Sequence, residues 1–174
     1  MAYELDAAHT DLAAAVRVEL RQTLQDAAGR VQHCLRQLDD EQAWWRPRAE
    51  MNAVGNLVLH LCGNVTQWII VPIGELADER QRQAEFDQRG GLTGAELSVR
   101  LESTIRRALQ AIAELPPERL LQPKRVQGFD TQIFAALLHS VSHFQGHTQE
   151  IVGLTRQQLG PAYQMLWTPR PDQA

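Results

Sequence analysis

Hydrophobic residues recur three and four positions apart over four stretches of this chain, the spacing of one face of an α-helix. The first stretch runs from about Thr10 to Leu38 through Leu12, Val16, Leu20, Leu24, Ala27, Val31 and Leu35, and predicts one long amphipathic helix. Polar clusters and Pro47 follow, a connection in which Trp44 and Trp45 are expected to cover the end of a bundle. Asn52 is placed to cap a second helix carrying Val54, Leu57, Leu61, Val65 and Trp68, which Pro72 and Gly74 should interrupt. Residues 74–92 have no clean period and end in a Gly-Gly pair, an unusually long link that suits a crossover or a lid. Thr93 followed by Glu96 is a capping-box pattern, and Leu97, Leu101, Ile105, Leu109 and Ile112 form a third stripe that stops at Pro116 and Pro117. Asp130 is placed to cap the fourth helix, whose Ile133, Leu137, Val141, Phe144, Ile151 and Leu154 lead to Gly160, Pro161 and a proline-rich tail. No run reads as a strand. The pattern therefore predicts an all-α fold in one domain over residues 1–174, a four-helix bundle with long inter-helix connections, the second of which permits a crossover.

Composition narrows the function classes. Hydrophobic residues make up 44% of the 174 positions and charged residues 22%, ordinary globular usage and enough for a sizeable interior. The formal net charge is −4 and the basic residues alternate with acidic ones, which argues against a nucleic-acid partner. The segment MAYELDAAHTDL carries acidic residues where a secretory signal needs a basic and then an apolar region. The apolar stretches read as shorter than a membrane span. A cytoplasmic location with no membrane partner is the expectation. Cys34 and Cys62 form no C-x-x-C pair and read as reduced, partly buried thiols.

The chemistry rests on histidine. His139, His143 and His147 follow one another at single-turn intervals on the fourth helix, so all project from one slowly rotating stripe. The outer two lie about 12 Å apart along the axis, too far to share an ion bound at about 2.1 Å. The candidate pairs are therefore His139/His143 and His143/His147. A third ligand should come from a facing helix, and His60 lies beside the Leu57, Leu61 and Asn64 face of the second. Three imidazoles leave positions for water or substrate, as in catalytic zinc sites, and imidazole also suits nickel, iron or manganese. Against this stands the ordinary reading that helical H-x-x-x-H pairs arise by chance and buried histidines are merely hydrogen-bonded. His9 and His33 read as surface or helix-packing residues.

Phe144 follows His143, so the H-E-x-x-H protease arrangement with its built-in base is absent. Glu150, three residues past His147, is the candidate catalytic carboxylate: it is placed to accept a proton at the metal or to hold a ligand histidine, or it is simply exposed. Cys62 lies about 200° around the helix from His60 and should not share its ion. Trp68 and Phe144 read as core, with a ligand pocket as the alternative.

The segments MNAVGNLVLHLCGNVTQWI around His60 and LLHSVSHFQGHTQEIVGLTRQQLG around His143 and His147 resemble the DinB-like (DinB/YfiT) metalloenzyme superfamily. The R-Q-x-E-F stretch from Arg82 to Phe86 and the W-W-R-P of residues 44–47 are similar to a subgroup of its bacterial members. The resemblance implies a four-helix bundle, often dimeric. It implies a divalent ion, zinc or nickel, held by one histidine of the second helix and the H-x-x-x-H pair of the last, hence His60, His143 and His147. It thereby selects His143/His147 over His139/His143. Many relatives read H-T-G-Q-I where this chain has H-T-Q-E-I at 147–151, which places Glu150 beside the site.

Members of the superfamily include S-transferases and isomerases that use low-molecular-weight thiols, and others are described as hydrolases. The resemblance thus implies a metal-dependent enzyme of one of these kinds, acting on a small-molecule substrate as a homodimer. The alternative from a different class is a non-catalytic, stress-associated metal-binding bundle.

Overall fold

The computed structural model describes residues 2–167, with side chains from residue 12 onward. The expectations for His9 and for the proline-rich tail therefore lie outside the described residues. The bundle is as predicted, with differences at nearly every helix boundary. Helix α1 (Ala2–Leu35) buries Leu20, Leu24, Ala27, Val31 and Leu35, but Leu12 is exposed. With 34 residues against 21 in α6, described below, α1 is about 20 Å longer than its neighbour. Short α2 (Asp40–Trp44) is closed by a reciprocal cap between Asp39 and Gln42. Trp44 does cover the bundle end, donating from Nε1 to the Leu92 carbonyl at 2.7 Å, whereas Trp45 stays 38% exposed.

The second helix starts at α3 (Val54–Val65), and its cap is not Asn52: Asn56 Oδ1 reaches back to accept the Ala53 N–H at 3.1 Å. Nor does Pro72 stop it. The chain passes through a π-helical turn, Thr66–Ile70, into α4 (Val71–Gly74). Proline lacks an N–H and its ring crowds the carbonyl four residues back, which in this run is Trp68; a widened turn relieves both. The left-handed Glu75 (φ 54°) then ends it. The run Val54–Gly74 is long and apolar enough to cross a membrane by composition, contrary to the sequence-based expectation, but 78% of that window is buried inside the bundle. It is the core helix of this fold.

Residues 74–92, expected to be a long link without a clean period, contain α5 (Arg82–Asp87). Helix α6 (Gly94–Glu114) begins at the predicted Thr93–Glu96 capping box. After a 3-10 turn, Pro117–Arg119, the chain forms a hairpin that periodicity missed: β1 (Pro123–Val126) pairs antiparallel with β2 (Phe129–Gln132). Gln127 (φ 52°) and Gly128 (φ 85°) make its two-residue turn, the left-handed conformation such hairpins need. Asp130 is thus a strand residue opposite Arg125, and Gln132 precedes α7 (Ile133–Leu159).

Helices α1 and α3 both pack on α6 and α7, so the order around the bundle is α1, α6, α3, α7. Consecutive long helices are therefore diagonal in two of the three cases. The first and third connections cross the bundle ends, while the second, whose length permitted a crossover, joins neighbours. Its length is used otherwise, as the site shows.

Gly55 tests the packing of the bundle end. A Cβ there would lie 2.9 Å from the Trp44 ring. Helix propensity alone favours Gly55→Ala by about 1 kcal/mol, whereas overpacking costs about 1–3 kcal/mol. We expect net destabilisation, read as a lower urea midpoint with unchanged m; a more stable variant would show that the Trp44 ring yields freely.

Candidate metal centre

Three helical positions converge on one point between α3 and α7. His60 on α3 and His143 and His147 on α7 present nitrogen atoms that all lie within 4.8 Å of one another. The i, i+4 pair stands on consecutive turns of one face, and α3 packs beside α7, which brings His60 opposite them. His60 Nε2 is 2.9 Å from His143 Nε2. Two nitrogens held at about 2.1 Å by one ion lie about 3.0–3.4 Å apart, so this pair needs little rearrangement to ligate together. His60 is buried, while His143 and His147 are half-exposed, so the cluster faces solvent on the α7 side.

Two of the ligand rings carry a carboxylate on the nitrogen that points away from the cluster. Glu85 Oε2 lies 3.0 Å from His60 Nδ1, and Glu150 Oε2 lies 2.8 Å from His147 Nδ1. A carboxylate on the second ring nitrogen fixes the tautomer and leaves the first nitrogen's lone pair free, the arrangement common behind metal-ligating histidine. This donor set fits a divalent ion.

Glu85 argues for the Nδ1–H tautomer of His60, because an ionised carboxylate 3.0 Å from that nitrogen can only accept. Arg80 Nη2 also lies 3.1 Å from His60 Nδ1, but it has Glu85 Oε2 at 2.8 Å and the His60 carbonyl at 3.3 Å as alternative acceptors for its two protons. Assigned from this network, Nδ1 carries the proton and donates it to Glu85. Burial pushes His60 below its ordinary pKa, and the Glu85 hydrogen bond offsets only part of that. The contact is accordingly a hydrogen bond from neutral histidine and not an ion pair. For Glu85, burial acts upward, but the hydrogen bonds from Arg80 and His60 outweigh it and hold the carboxyl below its usual range. Arg80 pairs with it in fork geometry, Nε to Oε1 and Nη2 to Oε2, both at 2.8 Å. Arg80 Nη1 donates to Gln67 Oε1 at 2.8 Å, and Gln67 Nε2 donates to Asp78 Oδ2 at 2.6 Å.

His139 lies outside the cluster. It stacks on His143 with ring centres 5.8 Å apart and lies 4.2 Å from the Trp68 ring. Phe144 is fully buried and Trp68 nearly so, as core residues. His33 meets Tyr163 and the Gln164 carbonyl, far from the cluster in sequence and contacts. Cys34 and Cys62 are both buried free thiols; burial pushes Cys62 up to about 11.

Arg80, Glu85 and Gln67 were not among the site residues expected from sequence. Glu85 does fall within the R-Q-x-E-F stretch, and the ring of Phe86 in that stretch packs against His60 at a tilt, with centres 4.7 Å apart. A further signal lay in α3 and its continuation. Asn56, His60, Gly63 and Gln67 fall at i, i+4, i+7 and i+11, a non-hydrophobic stripe on a mostly apolar helix. Asn56 Nδ2 donates to the carbonyls of Glu85 at 2.8 Å and Gln88 at 2.9 Å, so the stripe receives the 80–88 segment along its length.

Residues 11–172 match the family described as Protein of unknown function (DUF1572). No curated protein matches the chain. Among solved structures, a DinB-like protein from Bacillus cereus ATCC 10987 is similar with a TM-score of 0.65 at 14% identity, over 80% of this chain and 90% of that one. A DinB-like protein, YjoA, from Bacillus subtilis is similar with a TM-score of 0.63 at 13% identity, over 80% of this chain and 92% of the other. The fold is therefore DinB-like, as the two histidine segments implied.

In the metal-free protein, burial first and the neighbouring His147, His60, His139 and Arg80 next lower His143 to about 4. An unfolded histidine takes its proton near 6.5, before the folded one does. The stability this neutral ring carries is present above pH 6.5 and is lost as pH falls through about 4. Urea midpoints of metal-free protein should drop across that window, and less so for His143→Gln. An equally steep drop in the variant would assign the acid sensitivity to other groups.

Proposed function

The chain belongs to the DUF1572 family, and from its histidine cluster we propose that it is a metal-dependent enzyme acting on a small molecule, with one divalent ion held by His60, His143 and His147. The observation that carries this reading is the convergence of three ring nitrogens within 4.8 Å at a place where two of the rings are half-exposed. A site meant only to brace the fold is usually closed by four protein ligands. Zinc or nickel is the ion we favour, since neutral imidazole suits both, with iron and manganese as less favoured occupants.

Bound there, the ion supplies Lewis acidity to a water molecule or thiol group on the open side. The chain's own groups do the rest. His60 enters from the buried side, and its Nδ1 proton is held by Glu85. His147 is held by Glu150, so we read Glu150 as an orienting carboxylate first and a proton acceptor second. Core residues of α3 and α7 close the inner side against water, leaving approach through the α7 face. Between the two chemistries we favour a thiol-dependent S-transferase over a hydrolase. Both carboxylates bonded to the cluster are committed to ring nitrogens, which suits a nucleophile that ionises readily better than a water needing a strong base.

The same commitment gives some support to a second reading, a non-catalytic metal-binding bundle. Metal analysis of protein purified without a chelating tag tests the shared premise. One equivalent per chain is expected, and His143→Ala should weaken binding by more than the 10–100-fold typical of an outer-shell change. Absence of stoichiometric metal, or unchanged content in the variant, overturns the site. Loaded protein should then conjugate a low-molecular-weight thiol to an electrophile. Thiol-independent ester or amide cleavage would favour the hydrolase, and no turnover with either class would favour the non-catalytic bundle.

A further inference from the structure

The second connection is the strongest unexplained feature of this chain. It is long, it joins neighbouring helices, and it places a nearly buried ion pair against α3. The side chain of Arg80 is 5% exposed and that of Glu85 12%. Burying such a pair costs desolvation that its own attraction does not reliably repay, so stability alone is a weak reason to keep it. The pair is also fully engaged. Arg80 donates to both Glu85 oxygens, to Gln67 and to the His60 carbonyl, and its backbone N–H donates to Asp78 Oδ1 at 3.1 Å.

Gly63 makes room for it. One turn after His60, it presents no side chain on the face where the pair lies. A Cβ built there would overlap Glu85 Oε1 and lie 2.7 Å from Arg80 Nε. Those atoms belong to the charged ends of both side chains, held on several sides by the contacts above, so any substitution must lift the pair from the helix. In an interior helical position glycine costs about 1 kcal/mol relative to alanine. Here that cost coincides with a seat for the group that holds His60.

We infer that Arg80 and Glu85, seated on Gly63, are positioning residues for the metal centre: they fix the ring orientation and Nδ1–H tautomer of His60, and through it the affinity and ligand field of the ion. Arg80 acts one step further out, aiming the Glu85 carboxylate. This rests on the metal reading proposed above but concerns residues outside the three ligands.

Titration of metal-free protein with cobalt(II), following the visible d–d spectrum and the affinity against a competing chelator, tests it alongside thermal melts. Glu85→Ala should weaken cobalt binding 10–100-fold and alter the spectrum. Glu85→Gln, which keeps an oxygen to accept the Nδ1 proton, should recover most of the affinity. Gly63→Ala keeps every charged group and should still weaken binding at least 10-fold. A merely structural pair would shift the melts of all three while leaving the spectrum and affinity of the folded protein within 2-fold of wild type, and that result overturns the inference. So does a Glu85→Gln variant no better than Glu85→Ala. Histidine 15N spectra of metal-free protein keep the two proposals apart. They should show His60 as the Nδ1–H tautomer in the wild type and as a mixture in Glu85→Ala. Wild-type protein that takes up no cobalt overturns the metal reading and this one with it; normal uptake with indifferent variants overturns this one alone.

Discussion

A histidine on a helix buried on nearly every side has two ring nitrogens to satisfy, and this fold is arranged around satisfying those of His60. Leaving either unmet would cost about 1–3 kcal/mol in a fold whose whole margin is about 5–15 kcal/mol. The inner nitrogen is met by His143, which requires α3 to lie against α7 in this register. The outer one is met by Glu85, which requires the chain leaving α4 to turn back along α3 instead of proceeding directly to α6. A carboxylate brought so far out of water needs its own counter-charge, and Arg80 supplies it. Each partner thus creates the requirement that the next one meets.

The stripe of Asn56, His60, Gly63 and Gln67 shows how one helix organises this. The first member binds the backbone of the returning segment, the second carries the ring that faces the histidine cluster, the third leaves space and the fourth receives Arg80. The π turn carries Gln67 and Trp68 together, so one local widening presents a polar side chain to the Arg80 side and an indole to His139. Such turns recur at functional sites because they re-aim side chains without ending a helix.

What was legible in the sequence follows from the range of the forces involved. Stripes of Leu, Val and Ile report local periodicity, and they located all four long helices; the Thr93–Glu96 cap is likewise a four-residue matter. The ambiguity between His139 and His147 as partner of His143 was not local. It depends on where His60 stands across the bundle, and only the likeness to relatives, and then the packing of α3 on α7, selects His147. Pro72 misled because its local effect is to break a helix, whereas burial of Trp68, Ile69 and Ile73 held the chain helical at the cost of a wider turn. The hairpin escaped because its strands are four residues long and mostly exposed, with Val126 the one buried side chain, too little to mark a strand in the sequence. Arg80 and Glu85 escaped because exposed-looking charges in an aperiodic link carry no sign of the helix they fold onto.

Charge gives the arrangement its last consequence. Neither Glu85 nor Glu150 is among the clustered ligand groups; both stand behind imidazoles, and one of the two is offset by Arg80. The protein groups bonded to the cluster therefore contribute a net single negative charge, and three neutral imidazoles add none. A dication held there would remain only partly compensated, in surroundings that are solvent-exposed only on the α7 face. Carboxylate ligands at the same positions would have quenched it more fully. With the negative charge held behind the imidazoles, a bound dication would stay attractive to an anionic group arriving from solvent, while its repulsion of Arg80 would still be reduced. On the thiol-dependent reading proposed above, a thiol that ionises on approach would be better matched to that field than a cationic substrate, and it would come from the exposed side of the cluster.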